Sequence, residues 1–116
     1  MTIDEVFSKL ATHMIEGLMF HDEVSICYDF IGLQAYAKEH SEHYMEESKG
    51  YRSLLHYYAS HYHKLLKKES VPSPKLIPES WYKYSTIEVD INTKRNTIKE
   101  LTTKWVEWER ATKQLY

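Results

Sequence analysis

A single cysteine, Cys27, excludes an internal disulfide and every zinc site built on two or more thiolates. It lies in the apolar run Ile26 to Ala37 and reads as a small buried hydrophobe. That run is the most apolar in the chain, yet it contains Asp29 and Gln34 and falls far short of the roughly 20 residues of a membrane span. The first residues, Met1-Thr-Ile-Asp-Glu, lack the basic start and apolar stretch of a secretory signal, so a cytoplasmic location without membrane attachment is expected. Three glycines and three prolines in 116 residues leave little to interrupt regular structure. A net charge of −2, a pI near 6.4 and the lack of an arginine-rich stripe argue against nucleic acid as the main partner.

Catalytic signatures are missing too. There is no His-Glu-x-x-His, no glycine-rich phosphate loop and no Gly-x-Ser-x-Gly elbow. His21-Asp-Glu23 has the His-x-Glu order of zinc deaminases, but the Pro-Cys-x-x-Cys they also need cannot exist with one cysteine. The balance leans away from an enzyme.

What the chain does have is helical periodicity, and four helices in one domain, residues 1–116, are expected. Ile3, Val6, Leu10, Met14 and Gly17 recur three and four apart over about Asp4 to Met19. Asp22 is a candidate N-cap for a second helix carrying Ile26, Phe30, Leu33, Ala37, His40 and Tyr44 on one stripe. Lys49-Gly50 supplies a C-terminal cation and a residue suited to the left-handed conformation that ends many helices. A third helix runs from Tyr51 to about Lys68. Three prolines between Val71 and Pro78 then make residues 70–86 the long connection, with a single turn of helix after Pro78. The last helix, about Ile87 to Leu115, aligns Ile91, Ile98, Leu101, Trp105 and Trp108. The expected fold is an all-α antiparallel bundle of about four helices, its second and third paired about Gly50.

Charge is polarised within that bundle. Residues 1–49 hold three Lys and ten Asp/Glu, a net −7, and residues 50–116 hold twelve Lys/Arg and seven Asp/Glu, a net +5.

Five histidines fall between His40 and His63. With Gly50 as the apex, residues equally distant from it lie at one height, so His40, ten before, faces His61, eleven after. Glu47 and His43 continue from His40 along the second helix at spacings of four and three. Imidazole and carboxylate suit zinc, iron or manganese, which makes His40, His61, Glu47 and His43 the candidate ligands. His56 and His63 are expected to face water, as are His13 and His21.

In outline, long amphipathic helices with inward His and Glu resemble the ferritin-like superfamily, which implies a metal-binding bundle. That family's Glu-x-x-His pairs are missing, and only the reversed His13-x-x-Glu16 and His43-x-x-Glu46 occur. The segments Ile77-Pro-Glu-Ser-Trp-Tyr-Lys-Tyr-Ser, Asn92-Thr-Lys-Arg-Asn and Lys104-Trp-Val-Glu-Trp-Glu are similar to small helical proteins of prophages and mobile elements in low-GC Gram-positive bacteria. This resemblance implies a phage- or host-directed interaction role, with another protein as partner. Ten tyrosines and three tryptophans fit such a role, a small core or a homo-oligomer. Trp81, Tyr82 and Tyr84, following the proline-rich connection, are the candidate partner-binding residues.

Overall fold

The computed structural model describes residues 2–67, 71–83 and 89–115. Among these residues the fold is all-α, with three long helices and no strand: α1 (Ile3–Phe30), α2 (Gln34–Tyr62) and α3 (Ile91–Leu115). A short 3₁₀ helix, Glu79–Lys83, provides the turn expected after Pro78.

α1 starts on a capping box that satisfies two of its orphan donors: Glu5 N–H donates to Thr2 Oγ1 at 3.1 Å, and Thr2 N–H donates to Glu5 Oε2 at 3.3 Å. The helix then runs straight through Phe20 and Asp22, because its buried face does not stop at Gly17. His21, Val24 and Tyr28 continue the same three-and-four spacing, and all three are buried.

The chain reverses at Ile31-Gly32-Leu33, not at Gly50. Gly32 takes φ 80°, which a residue with a Cβ rarely adopts, and Leu33 N–H donates back to Tyr28 O at 2.8 Å. Ile31 is 3 % exposed, so this turn is pinned by apolar burial rather than built of polar residues. Gly50 lies inside α2, exposed, with nothing within 4 Å of where a Cβ would stand. The expected hairpin about Gly50 and the count of about four helices are thereby corrected. Ala37, His40, Tyr44, Glu47, Tyr51, Leu54 and Tyr58 keep one phase through Gly50, and a helix-interior glycine costs only about 1 kcal/mol against alanine. α2 ends where His63 enters the left-handed region at φ 54°.

α1 and α2 form an antiparallel hairpin, tied at its open end by the Tyr58 hydroxyl and Lys64 Nζ, both donating to the Asp4 carboxylate. The molecule extends 53 × 27 × 23 Å, a length set by helices of 28 and 29 residues at about 1.5 Å per residue. α3 lies on the hairpin and contributes Leu101 to a core of Phe20, Val24, Cys27, Tyr28, Ile31 and Ala37. The connection is fastened to α1 by Glu23, whose carboxylate accepts from Ser73 Oγ at 3.0 Å, from Ile77 N–H at 3.2 Å and from Leu76 N–H. No described helix is long and apolar enough to cross a membrane.

Candidate functional site

Pairing about Gly32 brings α1 residue 21 opposite α2 residues 40 to 47. His21 Nδ1 lies 2.8 Å from His40 Nδ1, and His21 Nε2 lies 3.3 Å from Glu47 Oε1. The His43 ring stacks on His21 with centroids 5.2 Å apart and planes 15° apart. Trp105 from α3 places its ring edge-on against all three imidazoles, with centroid separations of 4.6 to 5.8 Å. Phe20 packs beside His21 and His40. The result is a layer of three imidazoles and one carboxylate under an aromatic cover. His21 is 0 % exposed and His40 3 %.

The electrostatics follow from that burial. Desolvation, with the His21 and His43 rings beside it, lowers the His40 pKa from 6.5 to about 4, so His40 is neutral at pH 7. The Nδ1–Nδ1 contact allows only one proton between its two nitrogens, one ring donating and the other accepting. Three polar atoms in the neighbourhood are buried without a hydrogen-bond partner: His21 Nε2, Glu47 Oε2 and Trp108 Nε1. His21 Nε2 and Glu47 Oε1 are thus near each other without being aligned as donor and acceptor.

Gly17 makes this approach possible. A Cβ at that position would stand 2.8 Å from Trp108 Cη2 and 2.9 Å from Glu47 Oε2, well inside contact distance, so α2 and α3 reach the layer only because residue 17 has no side chain. His13, one turn further along α1, stacks on Trp108 with centroids 4.7 Å and planes 2° apart, and its Nε2 lies 2.6 Å from Thr112 Oγ1.

Of the four expected ligands, the structure gathers His40, His43 and Glu47 and separates His61 from them. His40 and His61 are 21 residues apart on one continuous helix, about 31 Å along its axis. His61 is exposed and stacks on Tyr57. A shared site for His40 and His61 is excluded by the continuity of α2. His21 takes the place expected of His61, and its reading as a surface residue is corrected. His13 is half-buried rather than on the surface, whereas His56 and His63 do face water. Among the described residues no group of three or more His, Cys, Asp or Glu side chains stands ready to hold a metal ion.

At the turn end of the hairpin lies a separate apolar groove of about 250 Å³, lined by Ile26, Cys27, Phe30, Ile77, Trp81 and Tyr82. Tyr82 is 68 % exposed and Ile26 51 %. Trp81 is half-buried and packs on Phe30 with centroids 5.4 Å apart. Cys27 forms the floor, and its thiol is pushed up to about 11 by burial and by the nearby Glu23 and Glu100 carboxylates, which leaves it protonated and inert. Tyr84 lies outside the described residues. Of these lining residues Ile26 was placed on the buried stripe of its helix by periodicity; the continuation of α1 past Asp22 turns it outward.

Comparison with protein-family models, with curated proteins and with solved structures finds no match to this chain.

Proposed function

We propose that this chain is a small non-enzymatic interaction module that seats an apolar side chain of a partner protein in the groove between α1 and the 3₁₀ turn. The observation that carries the reading is the exposure of Tyr82 and Ile26, two large apolar side chains from separate elements that line one groove together with Phe30, Trp81 and Ile77. Interface hot spots are typically aromatic anchors on well-packed supports, and Trp81 on Phe30 is such a support. Glu23 holds the connection against α1, so the groove is presented by a scaffold with satisfied backbone donors. The partner is proposed to be a bacterial or phage protein, an origin that rests on the sequence resemblance alone.

The test is site-specific crosslinking in a lysate of phage-infected Gram-positive cells, with a photoreactive residue at position 82 and, as control, at position 107 on α3. A single adduct from position 82, absent from position 107 and reduced at least tenfold by Ile26→Ser, supports the reading. Equal adducts from both positions, or an adduct indifferent to Ile26→Ser, would sink it.

A further inference from the structure

The geometry points to a mononuclear site for a divalent first-row transition-metal ion, with His21 Nε2, Glu47 and His43 as its ligands and His40 as the residue that orients His21. The starting observation is a mismatch. His21 Nε2 and Glu47 Oε1 lie 3.3 Å apart without forming a hydrogen bond, and His21 is fully buried with that nitrogen unpartnered. Two donors on one tetrahedral ion, at metal–ligand distances of 2.0 to 2.2 Å, are separated by roughly 3.3 Å and need not point at each other. Glu47 Oε2, buried and also without a partner, leaves a carboxylate with no compensating charge, which a cation would supply.

Position nominates the third ligand. Two imidazoles on one tetrahedral ion have centres roughly 5 Å apart; His43 at 5.2 Å and His40 at 5.1 Å from His21 both meet that spacing, and His40 is already engaged through its hydrogen bond to His21. His43 precedes Glu47 by one helical turn, so both side chains lie on the same face of α2. The described side chains do not yet converge on one point. The site as proposed requires the half-buried His43 side chain to change its orientation until one ring nitrogen meets the other two donors.

His40 is placed differently. Its Nδ1 is 2.8 Å from His21 Nδ1, a hydrogen-bond length on the side of the His21 ring away from Nε2, and its ring centre is 6.3 Å from that of His43. With metal on Nε2, His21 carries its proton on Nδ1 and donates it to His40 Nδ1, the arrangement that fixes ring orientation in histidine-ligated sites. Glu47 borders an opening of about 190 Å³ beside Met14, Gly50, Trp108 and Glu109, the side from which an ion would approach its carboxylate. Two imidazoles and one carboxylate with an open position suit iron(II), zinc or cobalt(II).

The experiment is a titration of the full, tag-free chain with cobalt(II) chloride, read by the visible absorption of bound cobalt and by metal content after desalting. One cobalt per chain is expected, displaced by zinc chloride. Glu47→Gln and His43→Ala should each weaken uptake at least 100-fold, His40→Ala about 10- to 100-fold, and His61→Ala not at all, with helical circular dichroism confirming folded protein. Glu47→Gln preserves side-chain shape, so it decides the matter if His43→Ala fails to fold. The inference is overturned if the wild-type chain shows no stoichiometric cobalt spectrum, if folded Glu47→Gln binds as wild type does, or if His61→Ala abolishes binding. None of these outcomes depends on the groove at Tyr82.

Discussion

His21 on α1 and His40 on α2 meet through their Nδ1 atoms at 2.8 Å, with both rings buried. One proton serves both nitrogens, so a second proton on this pair has no acceptor there. The groups facing the pair are Phe20 and Tyr28 on α1, His43 and Glu47 on α2, and the uncharged Trp105 and Trp108 on α3. One carboxylate therefore faces three imidazoles.

This sets the acid response of the fold. His40 has a pKa near 4 in the folded protein against 6.5 when exposed, so the unfolded chain takes up a proton first as pH falls. The contribution of neutral, buried His40 to stability is complete above pH 6.5 and is lost progressively down to about pH 4. Thermal melts between pH 7.5 and 4 are expected to show Tm falling across that window. His40→Leu should flatten the fall, and an unchanged slope in that variant would assign the acid response to other groups.

The helical stripes are legible in the sequence, but the apex of the hairpin, and with it the register, is not. Ile3, Val6, Leu10, Met14, Gly17, His21, Val24 and Tyr28 form one unbroken helical stripe, and so do the inward residues of α2 across Gly50. Composition pulled the other way: Asp22 resembles an N-cap and Lys49-Gly50 a terminus, whereas the real turn lies in the apolar run Phe30-Ile31-Gly32-Leu33. The rule that equal distance from the apex means equal height then pairs His21, eleven before Gly32, with His43, eleven after, while His40 lies one turn nearer the apex on the same face of α2. Three of the four expected ligands are brought together, because their mutual placement depends only on α2 being helical. The role of Gly17 was not visible, since a glycine on an apolar stripe does not announce the indole and carboxylate that approach it.

Replacing Gly50 tests the continuity of α2 directly. Alanine at an exposed, helical position with open space around it should stabilise the protein by about 0.5–1 kcal/mol, by restricting the unfolded chain and improving helix propensity. A chain that turned at Gly50 in the left-handed conformation would be destabilised by the same change. Chemical denaturation of Gly50→Ala gives the sign.

Gly17→Ala should act in the opposite direction. Its methyl group would overlap the Trp108 ring and crowd Glu47 Oε2, and overpacking of this kind costs about 1–3 kcal/mol. Because the strain falls on the two helices that close the His21 layer, near-ultraviolet circular dichroism of the tryptophans should change along with the denaturation midpoint. A neutral result would mean that α3 does not sit where Trp108 places it.

Glu23 makes the final case, since it is a charged residue acting as a structural fastener between two sequence-distant segments. Its carboxylate accepts from the Leu76 and Ile77 backbone N–H groups and from Ser73 Oγ. The prolines at 72, 74 and 78 rule out a regular element that could satisfy those donors instead. Glu23→Ala leaves partly buried N–H groups without an acceptor, at a cost of about 1–3 kcal/mol. Glu23→Gln retains an acceptor oxygen and should recover part of it. Amide exchange at Leu76 and Ile77 should accelerate in Glu23→Ala far more than exchange in the middle of α1, because the connection can detach while the hairpin remains folded. Ile77 also lines the groove beside Trp81 and Tyr82, so the same variant should weaken capture through position 82. Unchanged exchange at residues 76 and 77 would show that Glu23 does not hold the connection, and the groove would then need another support.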